Sequence, residues 1–164
     1  MSPIYKSFFS SNVYDKIYQA EGSTTNLPSK YYLEKLKSEN FSNSDKNFST
    51  AIGFIKELIH KEDINLLELG SSWGYFLFQA NSANINSTGI EISNSRREYG
   101  NKNLKTNIEA NIKDVKGKKY DVIFSNHVLE YFTDLSEIFQ DLSSLLVDDG
   151  LIIIAVPNYN YYEK

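Results

Sequence analysis

The stretch "LLELGSSWGYF", residues 66–76, decides the fold of this chain. An apolar run with one acid leads into a turn that contains two glycines, and apolar and aromatic residues resume behind it. This order predicts a β-strand, a tight turn and a helix. Gly70 permits the turn and Gly74 lets another segment of backbone approach closely, while Ser72 stands where a nucleotide-binding loop commonly has a further glycine. The stretch therefore predicts a turn that holds a ligand.

Patterns typical of strands and of helices alternate along the rest of the chain. Apolar segments that predict strands lie at residues 64–69, 87–92, 106–110, 120–126 and 151–156. Segments that predict helices lie at 31–40, 48–61, 75–83, 93–103 with Ser93 as its cap, and 134–146 with Asp134 at its start and Gly150 behind it. Such alternation requires crossover connections and a parallel sheet. We therefore predict a doubly wound α/β fold whose ligand lies beyond the carboxyl ends of the strands.

The composition divides the chain into two parts. Residues 1–46 are rich in serine, asparagine and tyrosine, which predicts an irregular or weakly helical segment. One or two of its tyrosines could close over a bound ligand as a lid. Residues 47–164 carry the alternating pattern and are expected to form the ligand-binding domain.

Composition and charge argue against several classes of function. The chain has no cysteine, which removes disulfides, thiolate metal sites and a cysteine nucleophile, and we expect no metal site. A net charge of −4 disfavours a broad nucleic-acid surface. The amino terminus lacks the pattern of a signal peptide, and the longest apolar run, 151–156, is too short to span a bilayer. We therefore expect a cytoplasmic protein that binds neither nucleic acid nor membrane.

Two acids narrow the class of ligand. Glu91 follows the glycine turn by about 20 residues, the spacing at which a carboxylate accepts the ribose hydroxyls of an adenosine cofactor. The turn departs from the G-x-G-x-x-G pattern of dinucleotide sites, and Trp73 and Tyr75 would crowd a pyrophosphate. Glu68 places a negative charge beside the turn, which disfavours a diphosphate and favours a positively charged amino group. An NAD-dependent oxidoreductase is therefore disfavoured.

Four ordered motifs resemble those of class I S-adenosylmethionine-dependent methyltransferases. They are residues 68–74, Glu91, "YDVIFSNHVLEYFTD" at 120–134 and "LLVDDGLIIIAVPN" at 145–158. The chain is most similar to the group with N-H-V-L-E-H after the fourth strand and V-P-N after the fifth, many of whose members modify small molecules or sugars. The resemblance implies a Rossmann-like sheet of strand order 3-2-1-4-5, S-adenosylmethionine as cofactor, and methyl transfer to a small-molecule or sugar-type acceptor.

The same resemblance implies a set of cofactor-binding residues. These are Glu68, Gly70, Ser71, Gly74, Glu91, Ile92, Asn111, Ile112 and Asn126. Glu68 and Gly70 would hold the methionine end of the cofactor, and Glu91 would bind the ribose. Ile92 would flank the adenine, and Asn111 replaces an acid that the family commonly has beside that base. A plain loop position is an equally good interpretation of Asn111.

The candidate catalytic residues are His127 and Tyr131. The resemblance places Asn126 and His127 beneath the methionine and near the reactive methyl, and Tyr131 stands where the family often has a second histidine. A hydroxyl acceptor gains from a general base, and an unperturbed histidine titrates near neutrality, so His127 is the candidate base. His127 could equally begin a helix and have no chemical role.

The last predicted strand, 151–156, lies close to the carboxyl end of the chain. The family normally adds two further strands, so the chain is either a fragment or a reduced domain. A non-catalytic cofactor-binding or scaffold module is therefore the alternative function. The strand has no charge and no proline before Pro157, so it would present a bare apolar edge. We expect downstream strands, the amino-terminal segment or a second copy in a homodimer to cover that edge.

Overall fold

A five-stranded parallel sheet organises residues 26–158, which are the residues that this computed structural model describes. In chain order its strands are β1 Ile64–Leu69, β2 Ile85–Ile90, β3 Ile108–Glu109, β4 Tyr120–Asn126 and β5 Leu146–Ala155. The order across the sheet is β3-β2-β1-β4-β5, and every neighbouring pair is parallel. The doubly wound, Rossmann-like α/β fold with strand order 3-2-1-4-5 is confirmed.

Five α-helices connect or flank the strands in the described part of the chain. They are α1 Lys30–Ser38, α2 Ser49–Ile59, α3 Tyr75–Ser82, α4 Asn94–Asn103 and α5 Leu135–Leu145, with short 3-10 turns at Ile112–Val115 and Leu129–Tyr131. Ser93 and Asp134 cap α4 and α5 as predicted, because their side chains accept hydrogen bonds from Arg96 N–H and Glu137 N–H. Local sequence therefore fixes where these helices begin.

The apolar core lies on both faces of the sheet. Leu66 of β1 belongs to a buried cluster with α2 and α3, whereas its neighbour Leu67 belongs to a second cluster with α5. Successive side chains of a strand point to opposite faces, so a strand covered on both faces is apolar nearly throughout. This explains the unbroken apolar run that precedes the glycine turn.

Three strands differ in their bounds from the sequence prediction, and β3, predicted at 106–110, is only Ile108–Glu109. β2 begins at Ile85, which pairs with Ile64, and ends before Glu91, so the acid follows the strand instead of lying within it. β5 begins at Leu146 and includes Gly150, which was expected to separate helix and strand. The pairing of β4 with β5 is irregular there and becomes regular from Leu151. Hydrogen-bonded register, which the apolar pattern does not show, sets these bounds.

The described part of the amino-terminal segment packs against the glycine turn. Leu33 and Leu36 of α1 form a third buried cluster with Phe41, Trp73 and Leu104. Trp73 is only 1% exposed, so its indole is a core group. Of the tyrosines considered for a lid, those at 5, 14 and 18 lie outside the described residues, and Tyr31 and Tyr32 of α1 are exposed. The helix predicted at 31–40 is present as α1 and packs beside the glycine turn.

The packing of α4 against the glycine turn can be tested at Gly100, because the two segments are in contact there. A Cβ on Gly100 would lie 2.7 Å from both the Trp73 carbonyl oxygen and Ile108 Cδ1. The carbonyl is backbone and cannot rotate away, so we expect Gly100→Ala to lower the free energy of unfolding by about 1–3 kcal/mol. Urea denaturation measures the change.

Gly53→Ala is the matched control for that variant. Gly53 is also helical, and nothing lies within 4 Å of a Cβ built on it. Alanine should stabilise α2 by roughly 0.5–1 kcal/mol because it loses less conformational entropy than glycine. Stabilisation by both substitutions would contradict the close approach at Gly100.

Candidate functional site

The turn after β1 is anchored to the carboxyl end of β2. The backbone N–H groups of Gly70 and Ser71 both donate to the carbonyl oxygen of Ile90, at 2.8 and 3.0 Å. Gly70 and Gly74 have φ of 79° and 80°, in the left-handed region that favours glycine. Ser72 has φ 51° and therefore adopts the same left-handed region, although it is not a glycine. The turn predicted from the sequence is present, with one strained residue in its middle.

The two glycines make room for different neighbours. A Cβ at Gly70 would lie 2.2 Å from Val128 Cγ2, and a Cβ at Gly74 would lie 2.9 Å from Thr106 Oγ1. The space beside Gly74 is taken by the side chains of Thr106 and Ile108, whereas the sequence predicts a close approach of backbone. The space beside Gly70 is taken by Val128, which belongs to the segment after β4. The turn therefore contacts three strand ends of the sheet.

Glu68 is a buried acid with an incomplete set of partners. Its side chain is 5% exposed, and Oε2 has no hydrogen-bond partner among the described residues. Burial, together with the negative charge of Glu91, raises the pKa of Glu68 well above its usual range, against a hydrogen bond from Ser71. An unpaired buried carboxylate oxygen is costly, and such groups are concentrated at functional sites.

Glu91 is also buried, but both of its carboxylate oxygens have partners. Oε2 accepts from Ser72 N–H at 2.9 Å and Oε1 accepts from Ser93 N–H at 2.8 Å. Burial raises the pKa of Glu91, although these hydrogen bonds and the positive charge of Arg96 act in the opposite direction. The carboxylate is thus fixed in place between the turn and the start of α4.

Three further residues belong to this region, and they were not predicted as site residues from the sequence. Arg96 is 3% exposed and donates from Nη1 to Ser72 Oγ. Its neighbour Arg97 donates from Nη1 to the carbonyls of Glu91 and Ile92, each at 2.8 Å. Gly89 leaves room for Ser71, because a Cβ at Gly89 would lie 2.1 Å from Ser71 Oγ. These two residues are the only arginines in a lysine-rich chain. That rarity is the feature of the sequence from which they could have been identified.

The two candidate residues that follow β3, Asn111 and Ile112, make contacts within the fold. Asn111 is exposed and caps the 3-10 turn, and its N–H donates to Asp114 Oδ2 at 2.9 Å. Ile112 is 8% exposed and packs in the core cluster of Leu67 and Ile90. The structure therefore places both residues at the same sheet edge as Glu91, and the backbone carbonyl of Asn111 accepts from Asp114 N–H at 3.0 Å.

The candidate catalytic residues lie beyond β4 and are exposed. His127 has φ 55°, a side chain that is 54% exposed, and Nδ1 3.9 Å from Glu130 Oε1. The backbone N–H of His127 donates a hydrogen bond to the carbonyl oxygen of Ala155, the last residue of β5. Tyr131 is 61% exposed, whereas Asn126, the last residue of β4, is partly buried. The structure thus brings Glu68 and Glu91 together but leaves His127 and Tyr131 at the surface.

Residues 26–158 contain neither a metal-binding cluster nor a membrane-spanning helix. No group of three or more histidine, aspartate or glutamate side chains among them could hold a metal ion. None of the helices in this range is long and apolar enough to cross a bilayer. The candidate site described above consists of two carboxylates, two arginines and the backbone of the turn.

Comparison with known proteins places this architecture among methyl-transferring enzymes. A family model described as "Methyltransferase domain" matches residues 42–164, most of the chain. No curated protein sequence matches significantly.

Solved structures share the fold at low sequence identity. Coclaurine N-methyltransferase, bound to N-methylheliamine and S-adenosylhomocysteine, has a TM-score of 0.58 at 17% identity, over 94% of this chain and 52% of that one. The plantazolicin methyltransferase bound to S-adenosylhomocysteine has 0.59 at 21% identity, over 88% and 57%. An S-adenosylmethionine-dependent methyltransferase from Clostridium acetobutylicum has 0.61 at 14% identity, over 82% and 59%. The chain therefore spans little more than half the length of these proteins.

The raised pKa of Glu68 predicts a pH-dependent effect on stability. As pH rises, the unfolded chain gives up the Glu68 proton near its usual pKa, about 4.3, whereas the folded protein retains it to higher pH. Stability is therefore lost as pH rises from that value through the folded pKa. We expect Glu68→Gln to raise Tm by roughly 2–8 °C at pH 8, and the gain to vanish near pH 4. Thermal unfolding followed by circular dichroism measures both.

Asp121→Asn is the control of opposite sign. Burial acts to raise the pKa of Asp121, but hydrogen bonds from Lys61 and Asn65 outweigh it and lower the pKa. This acid stabilises the fold above its unfolded pKa and loses that contribution as pH falls. Asp121→Asn should therefore lower Tm at pH 8. A shift of both variants in the same direction at pH 8 would show that Glu68 is not a strained acid.

Proposed function

This chain belongs to the methyltransferase-domain family, and from that premise we propose that it transfers a methyl group from S-adenosylmethionine to a small-molecule or sugar-type acceptor. The observation that carries the proposal is the pair of buried acids Glu68 and Glu91 beside the glycine turn, with one oxygen of Glu68 left without a partner. A buried carboxylate oxygen in need of a donor suits the positively charged amino end of this cofactor.

We infer which of the described residues would hold each part of the cofactor. Glu68 and the Gly70–Ser71 backbone would hold its methionine end, and Gly74 keeps the turn close to the sheet. Glu91, fixed by two backbone N–H groups, would accept its ribose hydroxyls. Ile92, which is partly buried beside Glu91, would flank the adenine. Asn111 and Ile112 would stand at the edge of the adenine site. When bound, the cofactor supplies an electrophilic methyl on a sulfonium.

The contribution of the chain to catalysis would be positioning, followed by proton removal. Holding the acceptor in line with the methyl accounts for much of the acceleration that such a transfer needs. Asn126, at the end of β4, would align the methionine end. His127 would take a proton from a hydroxyl acceptor, and Tyr131 would lie beside the acceptor. A carboxylate or amine acceptor would need no base.

A non-catalytic cofactor-binding or scaffold module is the second candidate. The observation that favours it is the exposure of His127, whose ring lies 3.9 Å from the carboxylate of Glu130. Glu130, the acid beside this ring, has a side chain that is itself 27% exposed, so it orients the ring only weakly. Cofactor binding without transfer of labelled methyl to hydroxyl, amine or carboxylate acceptors would favour the module. Transfer that His127→Ala abolishes would exclude it.

Substitution of Glu91 tests the site assignment. Glu91→Ala removes a charge-assisted contact, so we expect affinity for S-adenosylhomocysteine to fall by on the order of 1.5–3 kcal/mol, roughly 10- to 150-fold. Isothermal titration calorimetry measures it, and wild-type protein should bind neither NAD nor NADH.

Glu98→Ala is the control for this measurement. Glu98 is an exposed acid on α4, so its removal changes the net charge equally without touching the turn. We expect affinity within about twofold of wild type. Unchanged affinity in Glu91→Ala would contradict the site.

We further propose that the open edge of the sheet pairs with a second copy of the chain. β5 has only β4 as a neighbour in the described sheet, and Leu151, Ile154 and Val156 are 39%, 39% and 52% exposed. β5 as a whole includes the exposed Asp148 and Asp149, but its part from 151 to 155 carries no charge, and such an apolar edge favours pairing. Sedimentation velocity over a range of concentrations should show a dimer that Ile154→Lys disrupts. A wild-type monomer at every concentration would exclude the homodimer.

A further inference from the structure

Ser72 is held in an unfavourable backbone conformation by contacts on both sides. Its φ of 51° lies in the left-handed region, where a non-glycine residue is uncommon. Its N–H donates to Glu91 Oε2 at 2.9 Å, and its Oγ accepts from Arg96 Nη1. Strained backbone persists where surrounding contacts over-determine it. Those contacts come here from the end of β2 and the first turn of α4.

Arg96 is an unusual residue for this place. Its side chain is 3% exposed, although arginine is rarely buried unless it is paired. Its helix begins at the Ser93 cap, and Ser93 N–H also donates to Glu91 Oε1. The guanidinium therefore lies within one small network with Ser72 and Glu91. A buried cation in such a network fixes the groups around it, because moving any of them leaves a charge unsatisfied.

We propose that Arg96 is a positioning residue that takes over the role of the glycine absent at position 72, by holding the turn and the Glu91 carboxylate in the arrangement that receives the cofactor ribose. This inference rests on the proposed function. A glycine at position 72 would adopt the left-handed conformation without side-chain support. With serine there, the hydroxyl becomes an anchor, and the arginine that grips it also keeps a positive charge beside Glu91.

The charges around Glu91 give this role a measurable signature. The titratable or charged groups that interact with Glu91 are Glu68 of β1, Tyr75 of α3, and Arg96 and Arg97 of α4. Burial raises the pKa of Glu91, and Arg96 contributes to lowering it. Without Arg96 the pKa rises further. Since the ionised carboxylate accepts the ribose hydroxyls, binding weakens when Glu91 is protonated. As pH falls, the protein without Arg96 should therefore lose binding at a higher pH than wild type does.

Calorimetric titration of S-adenosylhomocysteine between pH 5.5 and 8.5 tests the role. We expect Arg96→Met to weaken binding by about tenfold or more near pH 6, with a smaller deficit at pH 8.5. Arg96→Lys restores the charge and should return the pH profile to within about threefold of wild type. Lys102→Met, which removes an exposed positive charge from the last turn of the same helix, should match wild type.

Further variants keep the proposal falsifiable if Arg96→Met folds poorly. Ser72→Ala removes the anchor hydroxyl and leaves the guanidinium, so it should weaken binding less than Arg96→Met. Ser72→Gly in the Arg96→Met background should recover thermal stability, because glycine needs no anchor. Equal loss of affinity at every pH in Arg96→Met, or no effect of it, would overturn the inference while wild-type binding upheld the cofactor. Failure of wild type to bind would overturn both.

Discussion

The Ile90 carbonyl oxygen, which accepts hydrogen bonds from the N–H groups of both Gly70 and Ser71, sets the geometry on which the site depends. It forces the chain to turn sharply as it leaves β1 and fixes that turn against the end of β2. Glu68 lies just before the turn and Glu91 just after Ile90, so one pair of hydrogen bonds brings the two acids together. Their mutual repulsion adds to the effect of burial in raising the pKa of Glu68. Parallel neighbouring strands make this arrangement possible because their carboxyl ends share one edge.

Acids at the two ends of the sheet differ in how completely their carboxylates are hydrogen-bonded. Asp121, near the start of β4, accepts from Lys61 Nζ and from Asn65 N–H at 2.9 Å, and its pKa is lowered. Glu68, at the opposite end of β1, has an unpaired oxygen and a raised pKa. The first stabilises the folded chain, whereas the second weakens it at neutral pH. A costly group of this kind is the reason why we propose that this edge of the sheet binds a ligand.

Sequence patterns predicted the alternation of strands and helices and the turn at Gly70 and Gly74, because apolar periodicity and glycine chemistry are local properties, whereas the strand order was predicted from the resemblance to class I methyltransferases. They did not predict that β2 ends before Glu91 or that β5 begins at Leu146, because register depends on the partner strand. Arg96 was missed for a related reason, since its function depends on the backbone conformation of Ser72, far away in the sequence. The roles expected of His127 and Asn111 depend on side-chain directions, which the order of motifs does not determine.

The contact between Gly70 and Val128 has a consequence for how this chain can evolve. The two residues belong to separate motifs, yet a single added carbon at position 70 would lie 2.2 Å from Val128 Cγ2. Any side chain at position 70 therefore requires a smaller residue at 128, in addition to tolerance of left-handed backbone. Gly89 and Ser71 share the same kind of restriction, at 2.1 Å. Mutations at these positions are permitted only in compatible pairs, so the turn and the segment after β4 cannot diverge independently.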